Sequence, residues 1–177
     1  MGIRTCPRCS QPLHQGHSAC PVCDFSLADV DSTFGSKRVR LQRIVDASST
    51  ISDVKAEWLN EKMDRFELDF PQLLFVAYIA DLSEDLNLRE LGFWLINRGI
   101  IDSPRSNDSV ILLCINSRIR SASLSLGYVP EQHLTEEALS AILKETRAHL
   151  AQCHFAQVIA SCLDSLTLHL QHPAPAG

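Results

Sequence analysis

Absences narrow this chain before any motif does. Its 177 residues contain no P-loop, no nucleophile elbow and no Rossmann fingerprint. Those gaps set aside nucleotide-cradling and serine-hydrolase designs. Positive charge is also scarce: 16 Lys and Arg stand against 21 Asp and Glu, a net charge of −5. Residues 1–37 are neutral, with Arg4, Arg8 and Lys37 balancing Asp24, Asp29 and Asp31, so the 13 basic and 18 acidic groups that follow carry all of it. A nucleic-acid surface needs a basic footprint. The one basic stretch, Arg38, Arg40 and Arg43, reads as a solvated face, and no nucleic-acid partner is expected.

Long apolar runs are missing too. The longest, Leu73 to Ala80, falls well short of the roughly 20 residues that cross a bilayer, so no membrane insertion is expected. Met-Gly opens the chain, but Cys6 stands where a myristoylation pattern has Ser or Thr. The opening MGIRTCPRC has no apolar core of a signal peptide. The expected setting is a reducing cytoplasm.

Against these absences stands one strong motif. Cys6, Cys9, Cys20 and Cys23 follow the spacing C-x2-C-x10-C-x2-C, each pair in the form Cys-Pro-x-Cys. Two intervening residues let a tight turn aim both sulfurs, and several amide N–H groups, at one ion. Two such turns supply the four tetrahedral ligands that zinc prefers. Metal binding would also fold a segment too short to build a core, since zinc modules gain about 10–16 kcal/mol of apparent binding energy. Three rivals exist: a pair of disulfides, a redox dithiol, and a site in which His14 or His17 replaces a cysteine. The first suits an exported chain, the second needs a thioredoxin-like unit, and the third is superfluous once four cysteines fill the shell. Cys114, Cys153 and Cys162 lie in apolar periodic segments and read as small core residues, and none is expected to begin the C-x5-R loop of a cysteine phosphatase.

With 45% hydrophobic and 21% charged residues, the rest should fold around its own core. The expected organisation is a zinc ribbon over 1–27, a linker rich in Asp, Ser, Thr and Gly over 28–38, an α/β domain over 39–170 and a flexible tail over 171–177. Ser52 can cap a helix to about Phe66, with Val54, Trp58, Leu59 and Met63 on its apolar side. Gln72 to Ala80 and Val110 to Ile115 are β-rich and apolar throughout, as in central strands covered on both faces. Between them, Asp85 to Asn97 forms a helix closed by Arg98-Gly99. Asn116-Ser117 suits a hairpin turn, and Arg118 to Leu126 alternates, with Ala122, Leu124 and Leu126 on one side and serines on the other. Thr135 caps a further helix with Glu136 and Glu137 in its first turn, and a last helix carries Phe155 to Leu166. Adding a short strand near Val39 to Val45, the order predicts a three-layer α/β/α sandwich on a mixed sheet, preceded by the ribbon.

The second domain resembles the TPM domain, a family of thylakoid, bacterial and animal membrane-associated proteins sometimes called TPM phosphatases. The likeness spans about 45–170. It rests on Val45-Asp46, on Asn107-Asp108-Ser109 followed by Val-Ile-Leu-Leu, on Leu126-Gly127-Tyr128, and on Leu134-Thr135-Glu136. Here Asn107 and Ser109 replace the Asp and Gly of the family's Asp-Asn-Gly, Val129 its second Gly, and Glu136 its Asp. The resemblance implies a second divalent-metal site, with oxygen ligands from Asp46, Asn107, Asp108 and Glu136 that would suit calcium or magnesium. Asp46 and Asp108 would then be the candidate catalytic groups of a weak, metal-assisted acid phosphatase.

Each of these residues also has a plainer reading. Asp108 suits a turn ahead of a strand, Glu136 a helix first turn and Asp46 a cap. Arg118 and Arg120 could hold a phosphate or line a strand edge. Trp58 and Trp94 read as core. The favoured expectation is a non-catalytic protein-interaction or regulatory module whose partner is another protein, with structural zinc as its cofactor. Weak phosphatase activity is the alternative.

Overall fold

The two apolar runs sit side by side at the centre of the structure. The computed structural model describes residues 4–13, 18–101 and 103–171. Its main sheet has four strands: β4 (Ile44–Asp46), β5 (Leu74–Ala80), β7 (Val110–Asn116) and β8 (Ser121–Leu126), in that spatial order. The first three are parallel and β8 returns antiparallel on β7, from Ile111 opposite Leu126 to Asn116 opposite Ser121. Every residue of β7 is buried, which explains why its sequence shows no alternation. β8, at the edge, alternates in sequence, yet adjacent Ser123 and Leu124 are both buried, so both of its faces are covered there.

Alternate side chains of these strands feed two cores. Phe75, Ala77, Ile79, Ile111, Leu113 and Ile115 face three helices, α2 (Asp53–Asp69), α4 (Glu136–Ala151) and α5 (Phe155–Gln171). Leu74, Val76, Val110, Leu112 and Cys114 face the other way, toward α3 (Leu88–Arg98). The result is the expected α/β/α sandwich with a mixed sheet. Ser52 and Thr135 stand at the expected N-cap positions, but of the two only the Thr135 hydroxyl accepts a capping amide, from Ala138; α3 starts later than expected, capped by Asn87 whose side chain accepts from the amides of Arg89 and Glu90. Gly92 lets α3 approach β8, because a Cβ there would lie 2.1 Å from Ser125 Oγ.

Several expectations are corrected. The stretch 28–38 is not a linker: α1 (Leu27–Phe34) fills most of it. Ser26 and Asp29 form its start, the Ser26 amide and hydroxyl both donating to Asp29 Oδ2 at 2.7 Å. Val30 is fully buried, Phe34 packs on Trp94 at 5.5 Å between centroids, and Arg98 bonds to Asp31. Val39 to Val45 is two strands. β3 (Val39–Leu41) pairs in parallel with β6 (Gly99–Ile101), which directly continues α3, and β4 joins the main sheet. Trp58 is 39% exposed, with Lys62 Nζ 5.6 Å from its ring centre, so it is not core; Trp94 is. Cys114 and Cys162 are buried, but Cys153 is exposed. Residues 172–177 of the tail lie outside the described residues.

The ribbon is likewise attached rather than appended. It comprises the two-stranded β1 (Arg4–Thr5) and β2 (Pro12–Leu13) and the two cysteine turns. Cys6, Cys20 and Phe25 belong to the same buried cluster as Leu91, Trp94 and Leu95 of α3.

Candidate metal centre and adjoining cavity

The two knuckles are built alike. In each, the first cysteine donates its amide to a carbonyl five residues on (Cys6 to Gln11, Cys20 to Phe25, both 2.8 Å). Its carbonyl accepts from the residue four on (Ser10 and Asp24, both 2.9 Å). That closing residue is left-handed in both turns, with φ of 60° at Ser10 and 55° at Asp24. Repeating one local geometry brings four sulfurs together: all lie within 4.8 Å of one another. Cys6 Sγ is 3.7 Å from Cys23 Sγ, and Cys9 Sγ is 3.6 Å from Cys20 Sγ. A tetrahedron with metal–sulfur bonds of about 2.3 Å has an edge near 3.8 Å, so the donor set fits such an ion. The same spacing is too long for disulfides, which hold sulfurs about 2.05 Å apart. His14 and His17 lie outside the described residues.

The local field acts unequally on these thiols. Burial opposes ionisation of Cys20, yet the amides of Val22 and Cys23 aimed at its sulfur, with the Cys9 and Cys23 thiols, outweigh it and bring its pKa down to about 7. Cys23 gains an amide hydrogen bond from Phe25, but burial and the three neighbouring thiols push it up to about 12. Sulfurs this close share protons as a set. A divalent cation would discharge them together.

The ribbon docks on α3 through matched contacts. Phe25 meets Phe93 edge-on at 5.4 Å, and Arg8 lies 4.7 Å above the Phe25 ring while its Nε donates to Glu90 at 2.9 Å. Arg89 Nη1 donates to Ser10 Oγ at 2.9 Å. Beside this junction is a cavity of about 720 Å³. Thr5, Pro7 and Leu13 of the ribbon form one wall, Phe93 and Ile96 of α3 another, and Leu124 to Gly127 with Glu136 and Leu139 close the far side.

Three of the four oxygen ligands expected from sequence reach this cavity: Asn107, Asp108 and Glu136. Asp46 does not. It ends β4 level with Ile79 and Ile115, whereas Asn107 and Asp108 precede Val110 at the start of β7. In parallel strands those are opposite ends of the sheet, separated by about 17 Å of β7 between Val110 and Ile115. The Asp46 carboxylate instead holds its own loop, accepting from the amides of Thr50 at 2.6 Å and Ile51 at 2.7 Å. Asn107 has a structural task on its nitrogen side: Nδ2 donates to the carbonyls of Ile96 at 2.7 Å and Gly99 at 2.8 Å, closing the end of α3. Glu136 pairs with Arg89 Nη2 at 3.1 Å. Among the described residues, the four cysteines are the one cluster of His, Cys, Asp and Glu placed to share a metal.

Other candidates resolve simply. Contrary to the expectation that none of the three cysteines begins a C-x5-R loop, Cys114 and Arg120 do stand at that cysteine-phosphatase spacing. The structure supports core: Cys114 is fully buried inside β7, and burial pushes its thiol up to about 12. Arg120 donates to the Ala151 carbonyl at 3.2 Å, and Arg118 pairs with Asp81 at 2.6 Å. Both lie in the turn before β8. Sequence reasoning missed Arg89, which joins ribbon to α4, because a lone helical arginine carries no pattern.

No family model matches the chain, and no curated protein does. Solved structures share its fold, among them two N-terminal domains. One is the solution structure of the N-terminal domain of the cg2496 protein from Corynebacterium glutamicum, 13% identical over 77% of this chain and 83% of that one, with a TM-score of 0.53. The other is the N-terminal domain of a protein from P. gingivalis, 18% identical over 86% of this chain and 98% of that one, also with a TM-score of 0.53. At these identities the likeness speaks for the fold alone. No helix among the described residues is long and apolar enough to cross a membrane.

Proposed function

We propose that this chain is a zinc-ordered, TPM-like α/β module that binds another protein and does not turn over a substrate. The observation that carries the reading is a shared wall: ribbon residues Thr5, Pro7 and Leu13 line the same cavity as α3, β8 and α4. An ion that folds the ribbon therefore also shapes a recognition surface on the α/β domain. Four thiolates are a soft donor set that suits zinc and not calcium or magnesium. The ordered motifs around Asn107, Gly127 and Thr135 are the part of the sequence that supports the TPM reading.

A metal-assisted phosphatase would need its carboxylates around one ion, and the distance between Asp46 and Asp108 along the sheet weighs against that. The test is metal analysis of purified protein combined with p-nitrophenyl phosphate hydrolysis in magnesium or calcium. The expected result is one tight zinc per chain and no turnover above buffer. Hydrolysis that disappears in Asp108→Ala would overturn the reading in favour of the enzyme.

A further inference from the structure

We propose that the outer face of the β3–β6 pair docks a short acidic segment of a partner protein, one with carboxylates at alternate positions. This rests on the protein-binding reading above and adds a second surface, none of whose residues lines the cavity. Residues 32–45 hold four cations, Lys37, Arg38, Arg40 and Arg43, and no Asp or Glu. Folding takes one of them away: Arg43 turns to α2 and pairs with Asp64 at 2.5 Å and Glu67 at 3.1 Å. Lys37, Arg38 and Arg40 stay exposed. Among the described residues, no carboxylate comes within ion-pairing distance of their side chains.

That cluster stands out because acids outnumber bases in this chain, 21 to 16. Arg8, Arg89, Arg98, Arg105 and Arg118 each hold a carboxylate elsewhere in the fold. The backbone also aims the charges that remain. Val39 and Leu41 pack inward with Trp94 and Leu95, so Arg40, between them, points outward. Ile100 is its register partner on β6 and is 44% exposed. Register partners share a face of a sheet, so an apolar side chain stands beside the guanidinium. Arg38 precedes Arg40 by two residues, about 7 Å along an extended backbone.

Charge and spacing together select the occupant. An extended peptide repeats its same-side side chains at that same pitch, so two alternate carboxylates would meet the two guanidinium forks. An apolar residue flanking them would cover Ile100. Charge along an edge strand discourages strand pairing, so the contact runs through side chains and not through a shared ladder. Long polyanions fit less well. A nucleic acid or an anionic bilayer would extend past three cations onto a chain whose net charge is −5. Arg38, Arg40 and Ile100 also offer no ring on which a base could stack.

The experiment is selection of a linear, cysteine-free displayed-peptide library on the zinc-loaded full chain, with affinities of the enriched peptides read by fluorescence anisotropy. The expected winners carry Asp or Glu at alternate positions, a diagnostic outcome because the chain as a whole is acidic and repels them. Their binding should weaken by about tenfold or more as salt rises from about 50 to about 300 mM. Arg38→Glu with Arg40→Glu should abolish it. Lys144→Glu with Arg147→Glu, the same charge change at exposed positions of α4, should alter it by about twofold or less. Replacing the peptide's alternate carboxylates by amides should also abolish binding, with the protein unaltered. Equal loss in the two double variants would reduce the contact to net charge and overturn the site. Winners without acidic residues, indifferent to Arg38 and Arg40, would overturn it too, while leaving protein binding by another surface standing. Failure to enrich any peptide would overturn both readings. Tighter binding of a single-stranded oligonucleotide or of phosphatidylserine vesicles, lost in the Arg38 and Arg40 variant, would assign the face to that polyanion instead.

Discussion

Phe25, two residues beyond the last ribbon cysteine, meets Phe93 of α3 edge-on at 5.4 Å. That contact links the metal centre to the sandwich, since Phe25 is nearly fully buried and its carbonyl also closes the second knuckle. Phe25→Ala should leave the four thiols in place but remove the ring that seats the ribbon. The expected loss is about 3–5 kcal/mol of stability, read by urea unfolding, with zinc content still one per chain. Loss of zinc together with stability would mean that the ring shapes the knuckle rather than docking it.

Chelation should act from the other side of the same junction. Because Cys6 and Cys20 sit in the buried cluster with Leu91, Trp94 and Leu95, stripping the metal should lower Tm by about 5 °C or more. It should also increase solvent quenching of Trp94, whose indole N–H donates to the Gly35 carbonyl at 2.8 Å. Trp58, on the far helix layer, serves as the control in a Trp94→Phe background. A chelated protein with unchanged Tm would show the ribbon to be an independent unit.

The legible parts of the fold were those with a period or a cap. β5, β7, α2 and α4 are evident from apolar runs, alternation and capping residues, and the four cysteines from their spacing alone. α1 escaped because Asp, Ser and Thr dominate Leu27–Phe34, and its stability comes from tertiary contacts: Val30 in the core, Phe34 on Trp94 and Asp31 on Arg98. The oxygen quartet failed for a different reason. Motif order along a chain does not say which end of a parallel strand a residue occupies, and Asp46 ends its strand whereas Asn107 and Asp108 precede theirs.

The Asp31–Arg98 pair makes a pH-dependent contribution. The Arg98 guanidinium, hydrogen-bonded to the carboxylate, holds the Asp31 pKa below its usual value against the opposing effect of burial. A depressed folded-state pKa adds stability above the unfolded value of about 3.9, and that stability is lost as pH falls from there through the folded value. Asp31→Asn should therefore lower urea stability at neutral pH, and its difference from the parent should shrink as pH falls below the unfolded value and through the lower folded one. A difference independent of pH would point to packing of α1 instead.

Asp46 gives the simplest test of its structural role. Asp46→Ala removes acceptors from the amides of Thr50 and Ile51, at an expected loss of about 1–3 kcal/mol. Zinc content and any ligand bound at the cavity should be unaffected, because the substitution lies at the opposite end of the sheet. Altered cavity binding, measured by calorimetry, would contradict that separation.

Asn107→Asp separates the two readings of the cavity by sign. If the TPM-like oxygen site were latent here, restoring an acid at 107 would add a ligand beside Asp108 and Glu136, and calcium or magnesium would stabilise the variant. The geometry argues the reverse. Asn107 Nδ2 is a donor shared by two carbonyl oxygens, Ile96 at 2.7 Å and Gly99 at 2.8 Å. An ionised carboxylate would face those oxygens with no proton to offer. Losing both bonds and adding repulsion should destabilise by about 2–4 kcal/mol, most strongly at neutral pH and less in acid, where a protonated Asp regains one donor. Thermal unfolding with and without calcium should show a lower Tm that the ion does not restore; rescue by calcium would reopen the oxygen site.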